Sequence, residues 1–411
     1  MNTAETAGLQ RLPRRFYSSA LLGVFLEYLD YTLYGFSAPY IAVDFFPAES
    51  RVVQLLLSWA IFSVSFLVRP LGAIIFGHLA DRFGRRTILT YSILLMSSAT
   101  LAIGLLPTFA HIGLLAPLAL LLCRILQGLA VSTEYSGCST YVLEFAQRRK
   151  GLDSGIITSA SGFGVFAASG LVLLFGGQEW RWPFIIGGVV VGVLGFYLRR
   201  GIPESPQFLV AQRDQQVVKV PLFKLLKQAP KRLVAGILVS AYVGIVIIVI
   251  EIYLPSQWQS YYGMSKDHAL ALVTLLSWLE AVLAIGFGAL SDYVGRKRTF
   301  MLAGILMIVG IVPLLMLFHH GSFWMWVGAA LGLAILVALA DGPTSVFLTE
   351  NFTTEVRYTG VSMSYNIGAG LIGGLSPALL TLLQMHVSFG VLLPAYLMGS
   401  AVLMLLVLFF S

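Results

Sequence analysis

The chain has 411 residues, 58% of them hydrophobic and 11% charged, with a mean hydropathy of +0.86. Soluble domains carry about 25% charged residues, so a water-soluble globule is excluded; low charge, no Gly-X-Y period and two cysteines exclude disordered, collagen-like and disulfide-stapled chains. A net charge of +7 raises nucleic-acid binding as a question that the placement of the charges must answer.

Apolar runs able to cross about 30 Å of hydrocarbon succeed one another along the chain. In order they are Phe16–Ala42, Val52–Gly77, Thr87–Leu106, Ile112–Leu143, Ser154–Phe175 and Pro183–Leu198, then Leu233–Trp258, Ala269–Leu290, Phe300–Phe318, Phe323–Leu348, Thr359–Leu383 and Phe389–Phe410. The first carries Glu27 and Asp30 behind a basic tail and is expected to be a mature helix, not a cleaved leader. In the fourth, Cys123 and Cys138 are separated by roughly 22 Å along one helix and cannot bridge.

Twelve spans put both termini on one side. Loops on that side hold 21 of the 26 Lys and Arg, whereas the opposite loops hold only Arg51, Arg181 and Lys266. By the positive-inside rule both ends are expected in the cytoplasm of a cell-membrane protein, and the excess positive charge then needs no nucleic acid. The polar stretch 199–232 divides the chain into predicted six-helix bundles at 1–198 and 233–411, and Pro221–Lys227 within it reads as a short amphipathic helix on the membrane surface.

The chain also repeats itself. Gly77, Asp81, Gly84, Arg85 and Arg86 recur 211 residues later as Gly288, Asp292, Gly295, Arg296 and Lys297, with Tyr293 in the place of Arg82, each set between the second and third helices of its half. A weaker echo pairs Glu144 and Arg149 with Glu350 and Arg357, after the fourth helix of each half. Glycine lets helices approach and turn, while an aspartate at a helix end accepts hydrogen bonds from the first amides of a neighbouring helix and pairs with arginine. The residues of both loop copies, with Glu144, Arg148, Glu350 and Arg357, are therefore read as a gate that locks one face when the halves rock about a midplane site.

G-x-x-x-D-R-x-G-R-R at half-chain spacing in a twelve-span chain resembles the major facilitator superfamily. Phe25–Tyr31 with Tyr34-Gly35, Arg69–Gly72, Arg124-x-x-Gln127-Gly128, Glu134-Tyr135, Pro203–Pro206 and Val356–Gly360 followed by Tyr365-Asn366 narrow this. Together they look like its metabolite:proton symporter family, which includes carriers for citrate, α-ketoglutarate, shikimate and proline or betaine. The resemblance implies an all-α membrane protein, with twelve helices in two pseudo-symmetric six-helix bundles. It departs from the family at Tyr28-Leu29 and Ser132-Thr133, both near the expected cavity.

A charge near the bilayer centre costs roughly 2.5–3.5 kcal/mol on insertion scales, so each one must face the interior. Glu27 and Asp30 share one face of the first helix, with Tyr31 and Tyr34 on the next turn. Arg124, Gln127, Val131 and Glu134 align along the fourth. The resemblance implies that Asp30 pairs with Arg124, and Asp30 is expected to carry the coupling proton, with Glu134 and Glu27 as alternatives. Arg124, Gln127, Tyr31, Tyr34, Arg69, Glu251, Glu280, Asp341, Tyr365 and Asn366 are the expected substrate contacts, and Glu27 or Glu134 is the expected structural partner of Arg69. The acidic excess among these groups favours a zwitterion, monocarboxylate or cation over a polyanion. The expected activity is proton-coupled symport of a small polar metabolite by a monomer, with no enzyme chemistry, metal or cofactor beyond the proton. A proton-antiport exporter of a drug or siderophore and a non-transporting sensor are the alternatives.

Overall fold

Within hydrocarbon every peptide N–H and C=O needs a partner inside the segment, which a lone apolar run satisfies by coiling into a helix. The computed structural model describes residues 14–48, 50–83, 85–132, 134–146, 149–175, 179–200, 225–227, 229–319, 322–353 and 356–410, and these contain no strand.

Twelve rods result. The first six are α1 (Arg14–Phe45), α2 (Arg51–Phe76, its helix running on to Phe83), α3 (Arg85–Leu105), α4 (Leu115–Glu144), α5 (Lys150–Leu174) and α6 (Arg181–Arg200). The second six are α7 (Pro230–Ser260), α8 (Lys266–Val294), α9 (Arg296–His319), α10 (Phe323–Asn351), α11 (Arg357–Leu383) and α12 (Phe389–Phe410). Among the described residues, nine helices are long and apolar enough to cross a membrane, and Thr90–Leu105 and Arg181–Tyr197 are shorter apolar helices. The remaining rod, α1, carries Glu27 and Asp30 at its middle. Of the expected surface helix Pro221–Lys227, Pro221–Lys224 lie outside the described residues, and Leu225–Lys227 are helical.

Five of these rods are interrupted along their length. Proline explains most of this, since it offers no N–H to the preceding turn. Pro70 and Pro343 follow the breaks at Val68 and Gly342. Pro255 and Pro377 each follow a wider π-helical stretch, Ile248–Tyr253 in α7 and Asn366–Gly373 in α11. In α4 the break comes at Ser132, whose hydroxyl donates to the Leu129 carbonyl at 3.1 Å. The α4 and α10 breaks lie 210 residues apart, close to the repeat offset of the loops.

The bundles meet most extensively along α5 and α8. Small residues make this possible, as is usual where lipid supplies no hydrophobic drive between helices. A Cβ on Gly151 would stand 2.3 Å from the Gly288 carbonyl, and one on Gly155 2.4 Å from the Ala284 carbonyl. Within the first bundle α2 and α4 are equally close: a Cβ on Gly128 would fall 2.1 Å from the Ser65 carbonyl. Gly128→Ala is therefore expected to cost about 1–3 kcal/mol, seen as a lowered unfolding temperature in detergent.

Candidate functional site

A narrow cavity, with room for little more than one water, lies between the bundles. Its wall is Tyr28 and Tyr31 of α1, Phe66 and Arg69 of α2, Gly244, Ile247 and Ile248 of α7, and Tyr365, Ala369 and Gly370 of α11. The interruptions place these groups: Arg69 opens the second segment of α2, while Ile248 and Ala369 belong to the π-helical stretches.

Arg69 is the cation of the cavity. It is 4% exposed, pairs with Glu27 at 3.6 Å, and lies over the Phe66 and Tyr31 rings at 4.4 and 5.6 Å. Its Nε and the Oε2 of Glu27 have no hydrogen-bond partner. Of the two partners expected for this arginine, the structure selects Glu27.

Asp30 and Arg124 sit in a second polar network that does not line the cavity. The expected direct pair is replaced by a relay. Arg124 donates to the Gln127 side chain at 2.8 Å, and Gln127 Nε2 donates to Asp30 at 3.1 Å and to the Thr100 hydroxyl at 2.8 Å. Asp30 also accepts a hydrogen bond from Thr100. The physical reason is that Arg124 is held elsewhere: it donates to the Phe62 carbonyl at 3.1 Å and to Ser65 Oγ at 2.6 Å, and lies over the Tyr34 ring at 4.5 Å. Tyr34 donates to the Ser58 carbonyl at 3.2 Å and so braces this arginine.

Glu134, just past the break at Ser132, accepts from Ser92 of α3 at 3.5 Å, two turns along α3 from the Thr100 that meets Gln127. Asn366 donates to the Ser132 carbonyl at 3.2 Å and to Ser362, joining α11 to α4 beside the cavity. Tyr365 stacks on Tyr135 with centroids 4.2 Å apart and its hydroxyl contacts that of Tyr28. Glu251, Glu280 and Asp341 are all buried in the second bundle, interact electrostatically with one another, and do not line the cavity. Neither oxygen of Glu280 has a hydrogen-bond partner, and its carboxyl lies where a Cβ on Gly162 would be, at 2.1 Å. Sequence reasoning missed Thr100, Ser65 and Phe66 as partners of these charges; a hydroxyl or ring in an apolar run carries no distinguishing pattern.

The bundles touch on both sides of the cavity. Away from the termini, Ser63 donates to the Gly374 carbonyl at 2.8 Å and Trp59 packs edge-on against Tyr253. Towards the termini, the Ser139 and Ser345 hydroxyls meet at 2.9 Å. Beyond them lies the second copy of the repeated loop. Asp292 accepts from the Gly151 and Leu152 amides, at 2.9 and 3.1 Å, at the start of α5 and pairs with Arg296 at 2.8 Å. Arg296 also reaches Glu350, and Arg357 reaches Glu144, both at 3.2 Å. Gly288 packs on Gly151 and Gly155, Gly295 turns the chain with φ of 97°, and Lys297 is exposed. Of the first copy, Gly84 and Arg148 lie outside the described residues, as do the side chains at Gly77, Asp81, Arg82, Arg85 and Arg86.

The family model for the Major Facilitator Superfamily matches residues 20–352 and 249–411. The chain is 31% identical over 375 residues to a protein of Staphylococcus aureus (strain COL) named putative proline/betaine transporter, covering 88% of this chain and 80% of that one. The proline/betaine transporters of Salmonella typhimurium and Escherichia coli K12 are 31% and 30% identical over 402 residues, covering 93% of this chain and 80% of each relative. In fold, the chain is similar to a D-xylose-proton symporter, with a TM-score of 0.74 at 18% identity and 96% of each chain covered. A partially occluded, inward-open form of the E. coli xylose transporter matches equally, at 16% identity. A multi-pass membrane protein of two six-helix bundles, built for secondary transport of small solutes, the chain belongs to the Major Facilitator Superfamily and to its metabolite:proton symporters.

Proposed function

We propose that the chain is a proton-coupled symporter for a small zwitterion of the proline or betaine kind, working by alternating access with both termini in the cytoplasm. The cavity carries this reading: one arginine, Arg69, stands among Tyr28, Tyr31, Phe66 and Tyr365. A guanidinium answers a carboxylate, and aromatic faces answer an alkylated ammonium. One cation in an otherwise apolar and phenolic wall offers nothing for the further charges of a tricarboxylate. The names of the relatives point the same way. Glu251, Glu280 and Asp341 lie deeper in the second bundle and favour a substrate whose positive end faces that side.

Uptake by whole cells at pH 5.5 and 7.5, with and without a protonophore, tests this against a panel of amino acids, betaines, polyamines and di- and tricarboxylates. Betaines and proline are expected to compete with one another and to lose accumulation when the protonophore is added. Preference for a tricarboxylate would sink the substrate class; indifference to the protonophore would sink the coupling.

A further inference from the structure

Two buried carboxylates on α1 stand one helical turn apart, and the cavity treats them differently. Asp30 is held by neutral donors, Thr100 and Gln127, away from the cavity wall. A solute entering the cavity removes none of those partners. Glu27 depends instead on Arg69, the group that a substrate carboxylate would engage. Arg69 has an unused Nε donor there, and Glu27 an unused Oε2.

The groups acting on Glu27 from its neighbours are Arg69 on α2, Glu134 and the Tyr135 amide on α4 and Tyr365 on α11, with Asp30 and Tyr31 on its own helix. Among these described groups Arg69 alone is positive. Once Arg69 turns to a substrate carboxylate, an ionised Glu27 keeps the Tyr135 amide but stands among carboxylates and phenols with no cation among these groups, in a region where an unpaired charge is strongly disfavoured. Protonation removes that charge.

We infer that Glu27 carries the coupling proton, and that substrate and proton are linked because the substrate carboxylate and Glu27 compete for Arg69. The inference rests on the proton-symport reading above. In the loading step a proton from water bonds to a Glu27 carboxylate oxygen, the ion pair with Arg69 is released, and the guanidinium donates to the substrate carboxylate. Release on the other side reverses each change. A zwitterion adds no net charge, so the loaded site gains one positive charge over the empty one. Transport is then electrogenic, with one proton for each solute.

The test uses the full chain in proteoliposomes with radiolabelled glycine betaine. Wild-type vesicles are expected to accumulate betaine under an inward proton gradient, with KM rising about tenfold per pH unit above the pH at which Glu27 ionises, because binding takes up one proton. Glu27→Gln is expected to lose accumulation and the pH dependence of KM while still exchanging internal for external betaine. Gradient-driven accumulation by Glu27→Gln would overturn the assignment and leave proton symport standing. Wild-type uptake that ignores the gradient, or no betaine uptake at all, would overturn the reading on which it rests. Where Glu27→Gln does not reach the membrane, Glu27→Asp decides: a displaced pH profile supports the assignment, and an unchanged one refutes it.

Discussion

Arg69→Gln is expected to lower the kcat/KM of uptake by roughly a hundred- to several-thousand-fold. The amide cannot answer a substrate carboxylate, and it also leaves Glu27 buried without its cation, a change that costs about 3–5 kcal/mol when one partner of an interior pair is removed. Arg69→Lys is expected to recover only part of the loss. The guanidinium of Arg69 lies flat over Phe66 at 4.4 Å while it reaches Glu27 at 3.6 Å, and a compact ammonium cannot stack and bridge in the same way. The double variant Glu27→Gln/Arg69→Gln separates the two effects. Protein stability should return towards wild type, because no orphaned charge remains, while transport stays lost. Thermal unfolding and vesicle uptake on the four proteins of this cycle measure both; additive losses of stability would show that the pair is not energetically coupled.

Asp292→Asn is expected to shift the protein towards opening on the side of the termini by about five- to thirtyfold. The Asp292 carboxylate ties α8 to α5 through two amides at an α-helix N-terminus and also holds Arg296. Asparagine keeps an acceptor oxygen but loses the charge, which at a helix N-terminus and in charge-assisted hydrogen bonds contributes on the order of 1–2 kcal/mol. The Arg357–Glu144 pair also joins the bundles but is more open to water, with side chains 22% and 23% exposed, and surface pairs of this kind contribute less. A single cysteine at Ser345, which meets Ser139 across the closed face, reports the change once Cys123 and Cys138 are replaced. Its alkylation should quicken about tenfold in Asp292→Asn; an unaltered rate would mean that the latch lies elsewhere.

The twelve spans and the repeat were legible because bilayer thickness and backbone satisfaction leave a hydrophobic run few alternatives. The interruptions were less so. Pro255 and Pro377 mark where a helix loses a donor, but whether the chain kinks, breaks or widens into a π-turn depends on the helices packed against it. That uncertainty reached the site. Glu134 follows the break at Ser132, which the apolar run does not mark, and meets Ser92 of α3, the helix whose Thr100 meets Gln127. Glu27 and Asp30 were correctly placed near one another, yet a separation of about 60° around the helix axis lets three-apart residues face different neighbours, here Arg69 and the Thr100–Gln127 pair. The direct Asp30–Arg124 contact failed for a related reason: which of several buried acceptors wins an arginine depends on backbone carbonyls such as that of Phe62, which no side-chain pattern reveals.

The two π-helical stretches, Ile248–Tyr253 and Asn366–Gly373, both adjoin the cavity from the second bundle. A π-turn stores one residue more than an α-turn. Moving that surplus along the rod turns the intervening segment by about 100° and advances it about 1.5 Å, without unfolding either end. The second bundle thus contains two slip joints, in α7 and α11, whose travel would swing Tyr253 or Tyr365 relative to the cavity while Pro255 and Pro377 keep the helices from annealing into straight rods. Such a device exchanges one set of wall residues for another within a single helix, a finer stroke than the rocking of whole bundles.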